Sequence, residues 1–275
     1  MSKRVLVVGG VAGGAGTAAR VRRLDEDAEV IMFERGSHVS FSNCSLPYHL
    51  SGIVRDCDDL VLMCPSKFAE QYNIDARVNS EVTKINKEEK TIEVKNLETG
   101  ETYTEKYDKL MLSPGANPIR PGSIKGVNNE NVFTIRNVDD IDNLHQYVNN
   151  NEVKNVAVIG AGYIGVEIAE NFIHSDKNVA LVEAMDQVLQ PLDYDMAQIL
   201  QKELHDNGVN VVVSDPLTEV HDDHVVLKSG KKIDAEAVVL AIGVSPETEL
   251  AEDAGLKIGE TGGIEVNNNY VTSDP

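Results

Sequence analysis

One pattern occurs twice in this chain and limits the folds open to it: an apolar run, a glycine-rich turn, a helix-compatible stretch, a second apolar run, then an acidic residue. The first copy reads Arg4 to Val8, Gly9 to Gly14, about Ala15 to Leu24, and Glu29 to Phe33, closing on Glu34. The second reads Asn155 to Ile159, Gly160 to Gly165, Val166 to His174, and Val179 to Glu183. Short apolar runs alternating with helical periodicity predict parallel strands covered by helices. Between the copies, Ser80 to Lys106 alternates apolar and polar residues, with breaks at Lys87-Glu88-Glu89-Lys90 and Glu98-Thr99-Gly100, which predicts a small antiparallel meander. The strand Lys109 to Leu112 runs into Ser113-Pro114-Gly115, and Ala237 to Ile242 runs into Gly243-Val244-Ser245-Pro246, so the two copies end in similar exits.

A strand-to-helix turn that holds a pyrophosphate needs glycine for the tight turn, glycine where backbone meets the anion, and glycine where helix packs on strand. Gly160, Gly162 and Gly165 satisfy all three positions. Glu183 follows at the end of the next strand, where a carboxylate accepts a hydrogen bond from a ribose 2′-hydroxyl and repels a 2′-phosphate. No Arg or Lys follows in Ala184-Met185-Asp186-Gln187, which favours NADH over NADPH. The first copy, Gly9-Gly10-Val11-Ala12-Gly13-Gly14, has Val11 at the middle position and Glu34 as its late acid. The expected fold is α/β with two Rossmann-like three-layer domains, the second inserted in the first. The expected boundaries are 1–120, 121–243, and a return at 244–275.

With 25 Lys and Arg against 45 Asp and Glu, the formal charge is −20, which disfavours nucleic-acid phosphates and anionic membranes. No apolar run approaches the roughly 20 residues that cross a bilayer, so a cytoplasmic location is expected. Cys44, Cys57 and Cys64 lack Cys-x-x-Cys spacing or a nearby His cluster, which argues for free thiols and against a zinc site. No metal site is expected, and Cys57 and Cys64 read as bystanders.

Cys44 is set apart by its surroundings, Ser40-Phe41-Ser42-Asn43-Cys44-Ser45-Leu46-Pro47-Tyr48, a few residues beyond Glu34. If Ser45 to Ser51 is a short helix, Cys44 sits at its amino end, where the backbone dipole favours a thiolate. His49 stands at the spacing where an internal redox dithiol has its second cysteine, so the sulfur needs an external partner. Cys44 then cycles through a mixed disulfide or through sulfenic acid.

On these motifs, with Leu112-Ser113-Pro114-Gly115-Ala116, Gly160 to Glu167 and Ala241 to Pro246, the chain resembles the coenzyme A-disulfide reductase and NADH oxidase group of pyridine nucleotide-disulfide oxidoreductases, which includes coenzyme A persulfide reductases. The resemblance runs from Lys3 to Pro275. It implies FAD contacts at Gly9, Gly10, Val11, Ala12, Gly13, Gly14, Glu34, Arg35, Asn43, Cys44, Val82, Ser113, Gly115 and Arg136. It implies nicotinamide dinucleotide contacts at Gly160, Gly162, Tyr163, Ile164, Gly165, Glu167, Glu183 and Gly243, with Tyr163 over the nicotinamide and Glu167 orienting its carboxamide. Coenzyme A, as substrate or bound thiol, falls near Gly16, Arg20, Arg23, Ser40 and Asn43, with Gly16 standing where the pattern has Thr. Arg20 and Arg23 share a helical face, where guanidinium groups suit phosphates. The implied enzyme takes electrons from NADH, through flavin and a single Cys, to a small disulfide or persulfide. Oxygen reduction and a non-catalytic redox sensor are the other readings. The group's carboxyl-terminal dimerisation domain, and the strand ending in Gly-Asp that follows Thr272 to Pro275, lie outside these 275 residues. A homodimer is therefore expected for the longer protein, and weak FAD retention and poor turnover for the isolated stretch.

Overall fold

The computed structural model describes residues 2–275, which form two compact units. The first contains the residues up to Ser42, then Val61–Asn117 and Ser245–Pro275; the second contains Asn43–Leu60 and Pro118–Val244.

The first unit opens with strand β1 (Arg4–Val8), helix α1 (Ala12–Leu24) and strand β2 (Glu29–Phe33). After an excursion into the second unit it continues with α2 (Pro65–Tyr72), β3 (Ile74–Arg77), the meander β4 (Ser80–Asn86), β5 (Thr91–Asn96) and β6 (Thr102–Lys106), and then β7 (Lys109–Leu112). Strands β3, β2, β1 and β7 make a parallel sheet in that order, and β4 to β6 make the antiparallel meander. The two-residue period of a strand decides what each face meets. Val7, Val30 and Met32 face Ala15 and Ala18 of α1 and Phe68 of α2. Leu6, Ile31 and Phe33 face Val82, Ile85, Ile92 and Val94 of the meander, so the unit has three layers.

The chain leaves this unit along β8 (Ala116–Pro118) and builds the second from β9 (Val132–Phe133), α3 (Val138–Asn150), β10 (Asn155–Ile159), α4 (Tyr163–His174) and β11 (Asn178–Val182). It goes on through α5 (Tyr194–Asp206), β12 (Asn210–Val212), β13 (Leu217–Val220), β14 (His224–Leu227), β15 (Lys232–Asp234) and β16 (Ala237–Leu240). The parallel sheet here runs β12-β11-β10-β16-β9, repeating the crossover order of the first. Ala157, Ile159, Ala180, Val182, Val238 and Leu240 pack on Leu217, Val225, Leu227 and Ile233 of the antiparallel β13-β14-β15 layer. The chain returns along β17 (Val244–Pro246) to α6 (Glu249–Asp253), which packs on the meander of the first unit.

Both long glycine-loop helices begin earlier than the sequence pattern predicts, at Ala12 rather than Ala15 and at Tyr163 rather than Val166. Glycine lowers helix propensity, so a propensity reading ends the turn after the last glycine. The backbone instead turns within three residues, and Gly14 and Gly165 lie inside the helices, where close approach to the strand requires the missing Cβ.

Candidate active site

The two glycine turns are built alike, bond for bond. Gly9 N–H donates to Phe33 C=O at 2.8 Å, and Gly160 N–H donates to Val182 C=O at 2.7 Å. Gly9 and Gly160 have φ of 94° and 101°, a region that favours glycine. A Cβ on Gly14 would lie 1.7 Å from Gly9 O, and one on Gly165 would lie 1.8 Å from Gly160 O. The late acids tie the turns down from the neighbouring strand. Glu34 accepts from Gly10 N–H at 2.8 Å and Gly36 N–H at 2.8 Å. Glu183 accepts from Ala161 N–H at 2.7 Å and Met185 N–H at 2.9 Å. Each carboxylate oxygen has two lone pairs, so this use leaves acceptor capacity for a ribose hydroxyl.

The helix starts differ from ordinary ones in a way that suits an anion. The N-cap residues Val11 and Gly162 make no side-chain cap, and neither α1 nor α4 has an acidic residue in its first turn. The first-turn N–H groups therefore have no side-chain acceptor, and no carboxylate there repels a phosphate. Val11 has φ −102°, outside the left-handed region that would demand glycine at the middle position. Gly162 has no atom within 4 Å of its would-be Cβ, so the fold itself makes no demand for glycine there. These residues fit a bound dinucleotide at each turn.

In the first unit, Ser113 closes the turn from the adjoining strand. Its N–H donates to Val8 C=O at 2.8 Å, and a Cβ on Gly9 would strike its carbonyl oxygen at 2.0 Å. Gly115 has φ 79°, and Arg35 pairs with Glu247 at 3.2 Å and donates to Asn117 at 3.1 Å. Ser40 is held in the left-handed region at φ 49°, its N–H donating to Gly10 C=O and its C=O accepting from Leu62 N–H, each at 2.8 Å. Val82 is buried against the sheet, so its side chain belongs to the core. Arg20 and Arg23 project from α1 as exposed residues, and Gly16 beside them has open space over its backbone. The arginine between them, which the sequence does not single out, has a structural task. Arg22 is buried and donates to the carbonyls of Tyr72, Glu26 and Asn73 at 2.7, 2.6 and 2.8 Å.

In the second unit, Asn43 and Cys44 are both exposed and open a 3-10 helix spanning Asn43–His49. The helix predicted over Ser45 to Ser51 thus starts earlier and is tighter, with Cys44 inside its first turn. The segment rests on α3 and α4, with Leu46, Pro47 and His49 buried. Ser51 Oγ donates to the buried Asn171 Oδ1 at 2.6 Å, and Asn171 in turn donates to Glu167 C=O at 2.8 Å. Tyr163 and Ile164 are exposed at the start of α4, with Glu167 one turn on. Burial, aided by Glu170, raises the Glu167 carboxyl above its usual range. Gly243 has φ 110° with only Ile119 nearby. The backbone of Arg136 donates to Asp140 at 2.8 Å, beside the capping box formed by Asn137 and Asp140.

Cys57 sits among ionisable side chains. Its Sγ lies 3.3 Å from His49 Nε2, and the ring centroids of His49 and His145 are 4.4 Å apart. Burial, then the carboxylates of Asp142, Asp56 and Asp58, push the thiol up to about 11. Burial and the neighbouring His49 lower His145, against the pull of Asp142. The fold brings His49, Cys57, Asp142 and His145 together, although no cysteine has a His cluster near it in sequence. The sequence conceals this because His49 ends the 3-10 helix of Cys44, Cys57 opens the turn Cys57–Leu60, and the other two come from α3.

Two α/β units, each with a glycine turn leading from its first strand into a helix, define the class of dinucleotide-binding folds. Comparison with known proteins agrees: the family model for pyridine nucleotide-disulphide oxidoreductases matches residues 3–275, and the chain belongs to that family. A coenzyme A disulfide reductase of Staphylococcus haemolyticus is 33% identical over 99% of this chain and 61% of its own length. The reduced Bacillus anthracis protein designated CoADR-RHD superposes with a TM-score of 0.97 at 46% identity, over 100% of this chain and 50% of that one. An NAD-dependent persulfide reductase from A. fulgidus gives 0.94 at 36% identity, over 98% and 51%. The chain thus spans about three fifths of that curated relative and half of those solved chains. Among the described residues, no helix is long and apolar enough to cross a membrane.

Proposed function

We propose that this chain is the nucleotide-binding part of a reductase that passes electrons from NADH through FAD to Cys44 and on to coenzyme A disulfide, persulfide or polysulfide. The observation that carries the reading is the exposed Cys44 on a helix resting against α4, whose amino end carries the Gly160 to Gly165 turn with no side-chain cap. The named relatives act in the same sense, as coenzyme A disulfide and persulfide reductases.

Gly9 to Gly14 with Glu34 would hold the FAD pyrophosphate and adenosine ribose, and Gly160 to Gly165 with Glu183 those of NADH. Bound there, the flavin supplies two-electron exchange between a reduced nicotinamide and a disulfide. The residues of the chain do the rest. The Cys44 thiolate attacks one sulfur of RS–SR, forming Cys44–S–S–R and releasing RS⁻. Two electrons and a proton delivered to that mixed disulfide restore the thiolate and release RSH. The net reaction is RSSR + NADH + H⁺ → 2 RSH + NAD⁺. The exposed Arg20 and Arg23 offer guanidinium groups to the phosphates of coenzyme A. Glu183, with no basic residue in Ala184 to Gln187, disfavours the 2′-phosphate of NADPH. The protein would act as a homodimer in the cytoplasm.

The test is anaerobic NADH oxidation by the complete protein with coenzyme A disulfide, coenzyme A persulfide or neither, and an aerobic arm with oxygen alone. Turnover with a coenzyme A substrate, lost in Cys44→Ser, is the expected result. A rate seen with oxygen alone overturns the assignment of acceptor, and a Cys44→Ser variant with full activity overturns the role of the thiol.

A further inference from the structure

We propose that His49, Cys57, Asp142 and His145 form a binding site for a zinc-class divalent metal ion, which clamps the segment carrying Cys44 onto helix α3. One ligand atom from each of His49, Asp142 and His145 lies within 4.8 Å of the others, and Cys57 Sγ lies 3.3 Å from His49 Nε2. Tetrahedral zinc with nitrogen, oxygen and sulfur ligands sets its donor atoms about 3.3–3.8 Å apart, so a closure of roughly 1 Å by side-chain rotation completes the set.

The supporting hydrogen bonds orient the donors. His49 Nδ1 lies 3.0 Å from Val54 C=O. A carbonyl only accepts, so Nδ1 carries the proton and the lone pair of Nε2 points toward Cys57. Asp142 Oδ2 accepts from Gln146 Nε2 at 2.7 Å, which steadies the carboxylate. Asp142 and His145 are three residues apart on α3 and share its face. A backbone carbonyl behind a histidine, as Val54 is behind His49, is the usual outer support of a metal ligand, and His145 Nε2 lies 3.0 Å from the Asn149 side-chain amide. The Cys57 thiol shares its proton with His49 Nε2 at 3.3 Å. Metal binding expels that proton to solvent as the sulfur–metal bond forms, and the cation satisfies all the lone pairs together. The mixed donor set, two imidazoles with one thiolate and one carboxylate, suits zinc rather than magnesium or calcium. Because the site joins the 3-10 helix of Cys44, the following turn Cys57–Leu60 and α3, a bound ion would hold three pieces of chain as one.

The experiment uses the complete, flavin-loaded protein after chelator treatment, with Zn²⁺ in equilibrium dialysis and Co²⁺ in difference absorption spectroscopy. One ion per chain is expected, with a thiolate-to-cobalt charge-transfer band that persists in Cys44→Ser and disappears in Cys57→Ser. Asp142→Asn and His145→Gln, both conservative and half-buried, should each weaken Zn²⁺ by at least about tenfold, the loss seen even when supporting groups are removed. Absence of saturable binding overturns the site. So does a band that survives Cys57→Ser, or an affinity unmoved in both conservative variants. Should Cys57→Ser fail to fold, the conservative pair decides alone.

Discussion

At the scale of single residues, the glycines of the second turn separate two demands that a sequence motif merges. Gly165 is required by the fold, since any Cβ there meets a carbonyl oxygen at 1.8 Å, whereas Gly162 faces open space. Gly165→Ala should therefore destabilise the protein severely, by several kcal/mol or to insolubility, measured by thermal unfolding. Gly162→Ala should leave the melting temperature within about 2 °C while weakening NADH binding, because the added methyl occupies the space where backbone meets the pyrophosphate. Equal loss of stability in both variants would refute this division. The cysteines divide as clearly. Cys44 is exposed, whereas Cys57 is pushed up to about 11, so about one part in a thousand is thiolate near pH 8. Mass-mapped alkylation of the metal-free protein should label Cys44 well before Cys57. At this scale much was legible in advance: Glu34 and Glu183 stand at the ends of β2 and β11 as the spacing requires, because strand, turn and acid follow each other within a few tens of residues. Arg22 was not legible, since a helix of three closely spaced arginines gives no sign of which one turns inward to the carbonyls of Tyr72 and Asn73.

At the scale of elements, the short helix of Cys44 depends on its anchors. A seven-residue 3-10 helix with Pro47 inside it has poor intrinsic stability, so packing and side-chain bonds must hold it. The bond from Ser51 to Asn171 joins its trailing end to the interior of α4. Asn171→Ala removes a buried acceptor for Ser51 and should cost roughly 1–3 kcal/mol. Hydrogen exchange should rise at Leu50 and Gly52, whose amides bond back into the segment at Pro47 and His49, while β10 stays protected. The starts of α1 and α4 were misplaced by sequence reasoning for a specific reason. Glycine reads as a helix breaker in isolation, and here its missing side chain is what lets the helix begin against the strand. The gathering of His49, Cys57, Asp142 and His145 was hidden for the opposite reason. Asp142 and His145 lie three apart on α3 and so share a face, but nothing local says which loop covers that face.

At the scale of the whole chain, an ion-pair network supports the edge of the first unit. Glu105 of β6 accepts from Arg4 of β1 and Arg77 of β3, each at 2.7 Å, and Arg77 lies over the rings of Phe33 and Tyr103. Burial alone would raise the Glu105 carboxyl, but the hydrogen bonds from Arg77 and Arg4 outweigh it and the carboxyl is held low. A depressed folded-state value means the stabilisation is present above the unfolded range, near 4.3, and is lost as pH falls through the folded value. Glu105→Gln should therefore cost roughly 1–3 kcal/mol near neutrality. The gap from the unsubstituted protein should narrow below about pH 4, as chemical denaturation at several pH values would show. A gap constant with pH would mean the loss is one of packing rather than charge.

The route of the chain has one more consequence. Leu250, Ala254 and Leu256 seal the meander side of the first unit, packing with Val82, Ile85 and Ile92 laid down long before them. On a ribosome, the meander can cover the amino-terminal sheet early, and the apolar face that α6 seals stays open while the whole of the inserted unit is made. Until α6 arrives, the nascent first unit exposes that apolar surface, and it is completed only after the inserted unit has been made although its synthesis starts first.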